Sequence, residues 1–236
     1  MTGDTTGDMA GGAAYWGPMA SLTAQSTALE AIGVSKQISG AWLLAPSDLQ
    51  VGAGECVVVR GPNGSGKTTL LRILGGLLEP SSGTVTLDGR PVDERDPVTR
   101  AAMAALLGPP AAYRDLTLAD HLVLVDSTWG LDPHSCAARV AAAFAELGIE
   151  HLAERFPHEL SSGQQQLFRL ALVLFRPGRV LLLDEPEQRL DPDRRARLTE
   201  ILARRVEAGT ALVLACHDPV MTQELADAVL DLREAR

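Results

Sequence analysis

No apolar run in this chain approaches the 18 or so residues that a membrane-spanning helix requires, so the chain is not expected to form a path through a bilayer. Cysteine is scarce. Cys56, Cys136 and Cys216 are odd in number and lack metal-ligand spacing, which fits inert thiols in a reducing cytoplasm. Positive charge is also short: a net charge of −9 argues against a nucleic-acid surface as the main partner. Basic residues cluster only modestly, as in Arg194-Arg195-Ala196-Arg197, expected to be a solvated helix face. The first 28 residues contain no Lys or Arg and no continuous apolar centre, so they do not read as a signal peptide. Rich in Gly, Ala, Thr and Ser, they read as a disordered tail, in which Tyr15-Trp16 is expected to be ordinary tail rather than a docking element. No repeat period is present, and 236 residues suffice for one sizeable core or a core plus a small subdomain.

What is present is phosphate chemistry. Gly61-Pro62-Asn63-Gly64-Ser65-Gly66-Lys67-Thr68-Thr69 fits Gly-x-x-x-x-Gly-Lys-Ser/Thr without mismatch. The buried strand expected over Cys56 to Val59 precedes it, and the helix expected over Thr69 to Leu74 follows. Glycines let backbone N–H groups converge on phosphate oxygens, and the helix N-terminus adds partial positive charge. Lys67 is placed to reach the β- and γ-phosphates, and the Thr68 hydroxyl to hold Mg²⁺. Downstream, Val180-Leu181-Leu182-Leu183 ends in Asp184, a Mg²⁺-associated carboxylate by position, and Glu185 follows it as the group that polarises the attacking water.

Between these motifs lies Leu160-Ser161-Ser162-Gly163-Gln164. In this order, the three motifs resemble those of the ATP-binding cassette (ABC) ATPases, and the resemblance spans about residues 29 to 218. It implies a P-loop NTPase of α/β class: an ABC-type core with a mixed sheet, a small antiparallel β part and an inserted α-helical subdomain. It also implies that Ser161, Gly163 and Gln164 bind the γ-phosphate of ATP held by a second subunit. Leu190-Asp191 sits at the spacing of the family's D-loop, at that same interface. His217, after the apolar run Ala211 to Cys216, corresponds to the switch histidine that contacts the γ-phosphate. Two departures stand out besides Ser162, where Gly is usual. Ahead of Leu116-Thr117 the family carries a Gln that helps hold Mg²⁺ and water; here the position is Gly108, in Leu107-Gly108-Pro109-Pro110-Ala111. The usual adenine-stacking aromatic is replaced by Ile38, with Trp42 nearest.

Along the chain, residues 1–28 form the tail and 29–236 a single ATPase domain. Within it, 29–98 and 166–236 are the expected nucleotide-binding core and 99–165 the helical subdomain. Short strands are expected from Leu29 to Val92, helical periodicity from Asp96 to Glu159, and an amphipathic helix over Cys136 to Leu147. The leading functional expectation is an ATP-hydrolysing subunit of an ABC transporter, dimerising as a homodimer or pseudo-dimer around two ATP molecules. It would sit on the cytoplasmic face of the membrane, held by separate transmembrane permease subunits. The Leu-Ser-x-Gly-Gln-Gln run and the Arg60-Gly61-Pro62-Asn63-Gly64 context are similar to the haem-exporter ATPase type of cytochrome c maturation, which implies export. The alternatives are a soluble, non-transport ABC ATPase acting in assembly, such as iron–sulfur cluster biogenesis, and a poorly hydrolysing regulatory cassette. Intact Lys67, Asp184, Glu185 and His217 count against the last.

Overall fold

Strands that are apolar at every position are buried on both faces. In the computed structural model, which describes residues 29–108 and 112–233, five strands form a parallel sheet whose central strands are buried in this way and whose edge strand over 228–231 is largely exposed. In sequence they are β3 (Cys56–Arg60), β6 (Met103–Leu106), β7 (Val180–Asp184), β8 (Ala211–Ala215) and β9 (Ala228–Asp231), ordered β6-β7-β8-β3-β9 across the sheet. Alternate residues feed two cores. Cys56, Val58, Leu181, Leu183, Leu212 and Leu214 face a layer of helices: α3 (Leu118–Ser127), α4 (Cys136–Leu147), α5 (Ser162–Leu174) and α6 (Pro192–Glu207). Val57, Val59, Val180, Leu182, Val213 and Ala215 face the opposite side. There they meet α1 (Lys67–Leu74) and an antiparallel sheet ordered β2-β1-β4-β5. Its strands are β1 (Leu29–Ile38), β2 (Ala41–Val51), β4 (Ser82–Leu87) and β5 (Arg90–Pro91). Each fully buried leucine in these layers contributes about 1.5–3 kcal/mol of transfer free energy.

The expected α/β architecture is present, with parallel and antiparallel strands divided between two hydrogen-bonded sheets. Three elements differ from the sequence reading. β1 and β2 run 10 and 11 residues rather than being short, and register shifts along β1 absorb the extra length. The helical stretch expected from Asp96 is interrupted: α2 (Pro97–Ala102) gives way to β6, which pairs Met103 with Val180 and Leu106 with Leu183. Alanine-rich sequence favours helix locally, and pairing with the edge of β7 overrides that preference. Finally, the Arg194 to Arg197 cluster is not merely solvated. Arg195 pairs with Asp218 at 2.8 Å, and Arg197 donates to the Ala145 and Glu146 carbonyls, tying α6 to the end of α4.

The helices begin where capping chemistry dictates. The Ser161 side chain accepts from Gln164 N–H while the Gln164 side-chain oxygen accepts from Ser161 N–H, a reciprocal capping box opening α5 at Ser162. Asp191 caps α6, with Pro192 at its first position, and Asp218 likewise caps α7 (Pro219–Leu225). Among the described residues no helix is long and apolar enough to cross a membrane. The tail 1–28, with Tyr15-Trp16, and Pro109 to Ala111 lie outside the described residues.

Candidate functional site

Parallel sheets place their chemistry outside the carboxyl ends of the strands. Here three adjacent strands, β7, β8 and β3, end respectively in Asp184-Glu185, in the residues leading to His217, and in the phosphate loop.

The loop's course depends on glycine. Gly61, Gly64 and Gly66 all take positive φ. At Gly66 a Cβ would lie 2.5 Å from the Leu43 carbonyl, so β2 closes on the loop only because that position lacks a side chain. Lys67 is buried, and its ammonium donates to the Gly61 carbonyl at 2.8 Å and the Pro62 carbonyl at 3.2 Å. An ammonium has three donors, so one remains for a phosphate oxygen.

Across the loop, the Thr68 hydroxyl donates to Asp184 Oδ2 at 2.7 Å, joining the two expected metal-associated residues. Burial raises the Asp184 carboxyl above its ordinary value, and the neighbouring Glu185 charge adds to this; the Thr68 hydrogen bond and the Lys67 and Arg72 charges oppose it. Asp184 Oδ1 and Ser65 Oγ are buried without a hydrogen-bond partner. Buried oxygens left unsatisfied at a phosphate loop fit a bound cation and its phosphate ligand.

Glu185 adopts φ 49°, an uncommon conformation for a non-glycine residue, and its N–H donates to the Ala215 carbonyl at 2.8 Å. This turn presents its carboxylate to His217, whose Nε2 lies 3.2 Å from Glu185 Oε1. The Gln188 side-chain amide contacts the other oxygen, Oε2. A cavity of about 200 Å³ opens beside them, lined by Gly108, Gln166, Arg169, Asp184, Glu185 and Gln188 among others. The glycine found in place of the expected Gln thus borders the two acidic residues and contributes no side chain there.

Ser161, Gly163, Gln164 and Asp191 form a second group. Their hydrogen bonds close their own helix starts, and a Cβ on Gly163 would meet the Arg189 carbonyl at 2.8 Å. Ile38 stands exposed at the end of β1, opposite Ala41, and Trp42 follows on β2; the hairpin residue that meets the loop is Leu43. Asn63 and Gly64 are exposed at the loop's crest, whereas Thr69 lies in the first turn of α1.

The sequence reading missed Gln166, Glu187 and Gln188. Gln166 is buried and donates to the Pro186 carbonyl at 3.0 Å, fastening α5 to the turn that carries Glu185. A signal existed for it: a polar residue on the apolar face of an amphipathic helix needs a partner. Cys56 and Cys216 are buried as expected. Burial pushes the Cys56 thiol up to about 12 and raises that of Cys216 as well.

Together, the glycine loop, its lysine, and the carboxylates at adjacent strand ends define a phosphate-loop nucleoside triphosphatase. The ABC transporter family profile matches residues 44–188. The hemin import ATP-binding protein of Rhodopseudomonas palustris is 34% identical over 220 residues, covering 89% of this chain and 81% of its own. The cytochrome c biogenesis ATP-binding export protein of Pseudomonas putida is 36% identical over 194 residues, covering 80% of this chain and 89% of its own. Among solved structures, an ATP-binding subunit of an ABC transporter aligns with a TM-score of 0.78 at 26% identity, over 87% of each chain. A bacterial ABC transporter cassette solved as a dimer shares the fold, with a TM-score of 0.79 at 23% identity over 87% of this chain and 94% of its own. This chain belongs to the ABC transporter ATP-binding family, and with membership goes that family's general activity, ATP binding and hydrolysis.

Proposed function

We propose that this chain is the ATP-hydrolysing subunit of an ABC transporter, working as a dimer that shares two ATP molecules and drives translocation through separate membrane subunits. The observation that carries the reading is the convergence of Lys67, Thr68–Asp184 and Glu185–His217 at the ends of three neighbouring strands. Backbone N–H groups of the loop from Asn63 to Thr69 cradle the phosphates, and Lys67 neutralises charge on the terminal pair. Thr68 and Asp184 would hold Mg²⁺, which when bound would offset phosphate charge. Glu185 orients and deprotonates the attacking water, and His217 senses the γ-phosphate from the adjoining strand. Ser161, Gly163, Gln164 and Asp191 stand at the starts of α5 and α6 rather than in the phosphate loop, which suits engagement of a second subunit's nucleotide. The hairpin of Ile38 and Trp42 offers the base an apolar surface.

Both an import and an export protein stand among the relatives, so the proposal extends to transport and not to its direction. The test is affinity isolation from native membranes in mild detergent, with mass spectrometry of what accompanies the chain. A stoichiometric polytopic partner is the expected result. Recovery from the soluble fraction, with assembly factors or nothing, would replace transport with an assembly ATPase.

A further inference from the structure

Two residues beyond Glu185, Glu187 is a carboxylate only 8% exposed. Acidic side chains are seldom buried unless they are put to use, because desolvating the charge is costly. Its Oε1 accepts the backbone N–H of His217 at 2.9 Å, and the carboxylate also lies against the Cys216 thiol. A neutral side chain of similar reach would accept the same N–H with a smaller desolvation cost. What the charge adds is strength, since a charge-assisted hydrogen bond is roughly twice as strong as a neutral one.

The N–H it holds belongs to a residue that needs holding. β8 ends at Ala215, so His217 has left the strand ladder, and its side chain is 48% exposed. Its neighbours are fixed separately. Cys216 is buried, its thiol held protonated by burial and by the Glu187 charge beside it. Asp218 caps α7 and pairs with Arg195. Between those anchors, the Glu187 bond sets the backbone from which the imidazole extends to Glu185.

We propose that Glu187 is a positioning residue for His217: its buried carboxylate pins the His217 amide and thereby the reach of the imidazole to Glu185 and the γ-phosphate. The inference rests on the reading of His217 as the γ-phosphate contact.

The test uses the full chain labelled with ¹⁵N-histidine, the His217 amide being assigned by its disappearance in His217→Ala. A bond to a carboxylate carries the amide proton downfield, and Glu187→Ala moves it upfield. In steady-state hydrolysis Glu187→Ala lowers kcat by about tenfold or more, the equivalent of one charge-assisted hydrogen bond, and leaves KM for ATP nearly unchanged. Glu187→Gln, which keeps an acceptor oxygen, shows a smaller upfield shift and regains most of kcat. An unmoved His217 amide in either variant overturns the proposal, as does a kcat loss that Glu187→Gln fails to restore. Should Glu187→Ala not fold, the amide shift of Glu187→Gln decides the matter. Full kcat in His217→Ala instead overturns the reading of His217 itself, whatever the Glu187 variants show.

Discussion

Asp184 illustrates how this site trades stability for chemistry. Its folded-state carboxyl is raised by burial, so the folded chain binds that proton more tightly than the unfolded chain does. Stability from this group is therefore lost as pH rises from the unfolded value through the folded one, and at neutral pH the ionised carboxylate is a burden. Asp184→Asn is expected to raise the urea midpoint of the nucleotide-free protein at pH 7 while abolishing hydrolysis; a lowered midpoint would contradict this account. The Lys67 ammonium is held by two loop carbonyls. Lys67→Ala should cost roughly 10²–10³-fold in kcat/KM for ATP, measured by phosphate release, as expected when a preorganised charge is removed from a phosphate site. At this scale the grouping of residues was legible in the sequence: motif spacing pointed to Lys67, Thr68, Asp184 and Glu185, the family resemblance pointed to His217, and the fold brings them together. Glu187 and Gln188 were not, because nothing in Asp184-Glu185-Pro186-Glu187-Gln188 announces which side chains the turn buries or aims at Glu185.

The elements are held in place by caps and by inter-helix ion pairs, of which Arg139–Asp126 is the most buried. Arg139 of α4 grips Asp126 of α3 through two hydrogen bonds, of 2.8 and 2.6 Å, with side-chain exposures of 12% and 5%. Asp126→Ala leaves Arg139 uncompensated and should destabilise the chain by about 3 kcal/mol, read from urea unfolding. The same pair appears in acid. The Arg139 hydrogen bond lowers the Asp126 carboxyl below the ordinary carboxylate range, and cap hydrogen bonds do the same at Asp96, Asp120 and Asp218. Depressed folded-state values give stability that is present above the unfolded value, about pH 4, and lost as pH falls through the folded ones. The urea midpoint should therefore drop below about pH 4, less steeply in Asp126→Ala; equal slopes would remove Asp126 from the explanation. Element types follow sequence where local preference and packing agree, as in α4, which spans Cys136–Leu147 as its periodicity predicts. They part at β6, where Met103-Ala104-Ala105-Leu106 carries no period-2 signal and is a strand only because β7 offers a free edge.

For the whole molecule, the central claim is that the site is completed by a second chain. Ser161 opens α5 on the surface, Gly163 packs under Arg189, and buried Gln166 ties that helix to the turn holding Glu185. Engagement of Ser161 and Gly163 by another subunit's nucleotide would then bear directly on the carboxylate that handles water. The family resemblance suggested this division, and in the folded chain Thr68 bonds to Asp184 while Ser161 and Asp191 bond within their own helix starts. The most direct measurement is sedimentation velocity of Glu185→Gln with ATP and Mg²⁺. Closure should survive while water activation fails, so an ATP-dependent dimer is predicted, absent without nucleotide and disrupted by adding Ser161→Arg. A Glu185→Gln chain that binds ATP yet stays monomeric at every concentration tested would contradict the shared site.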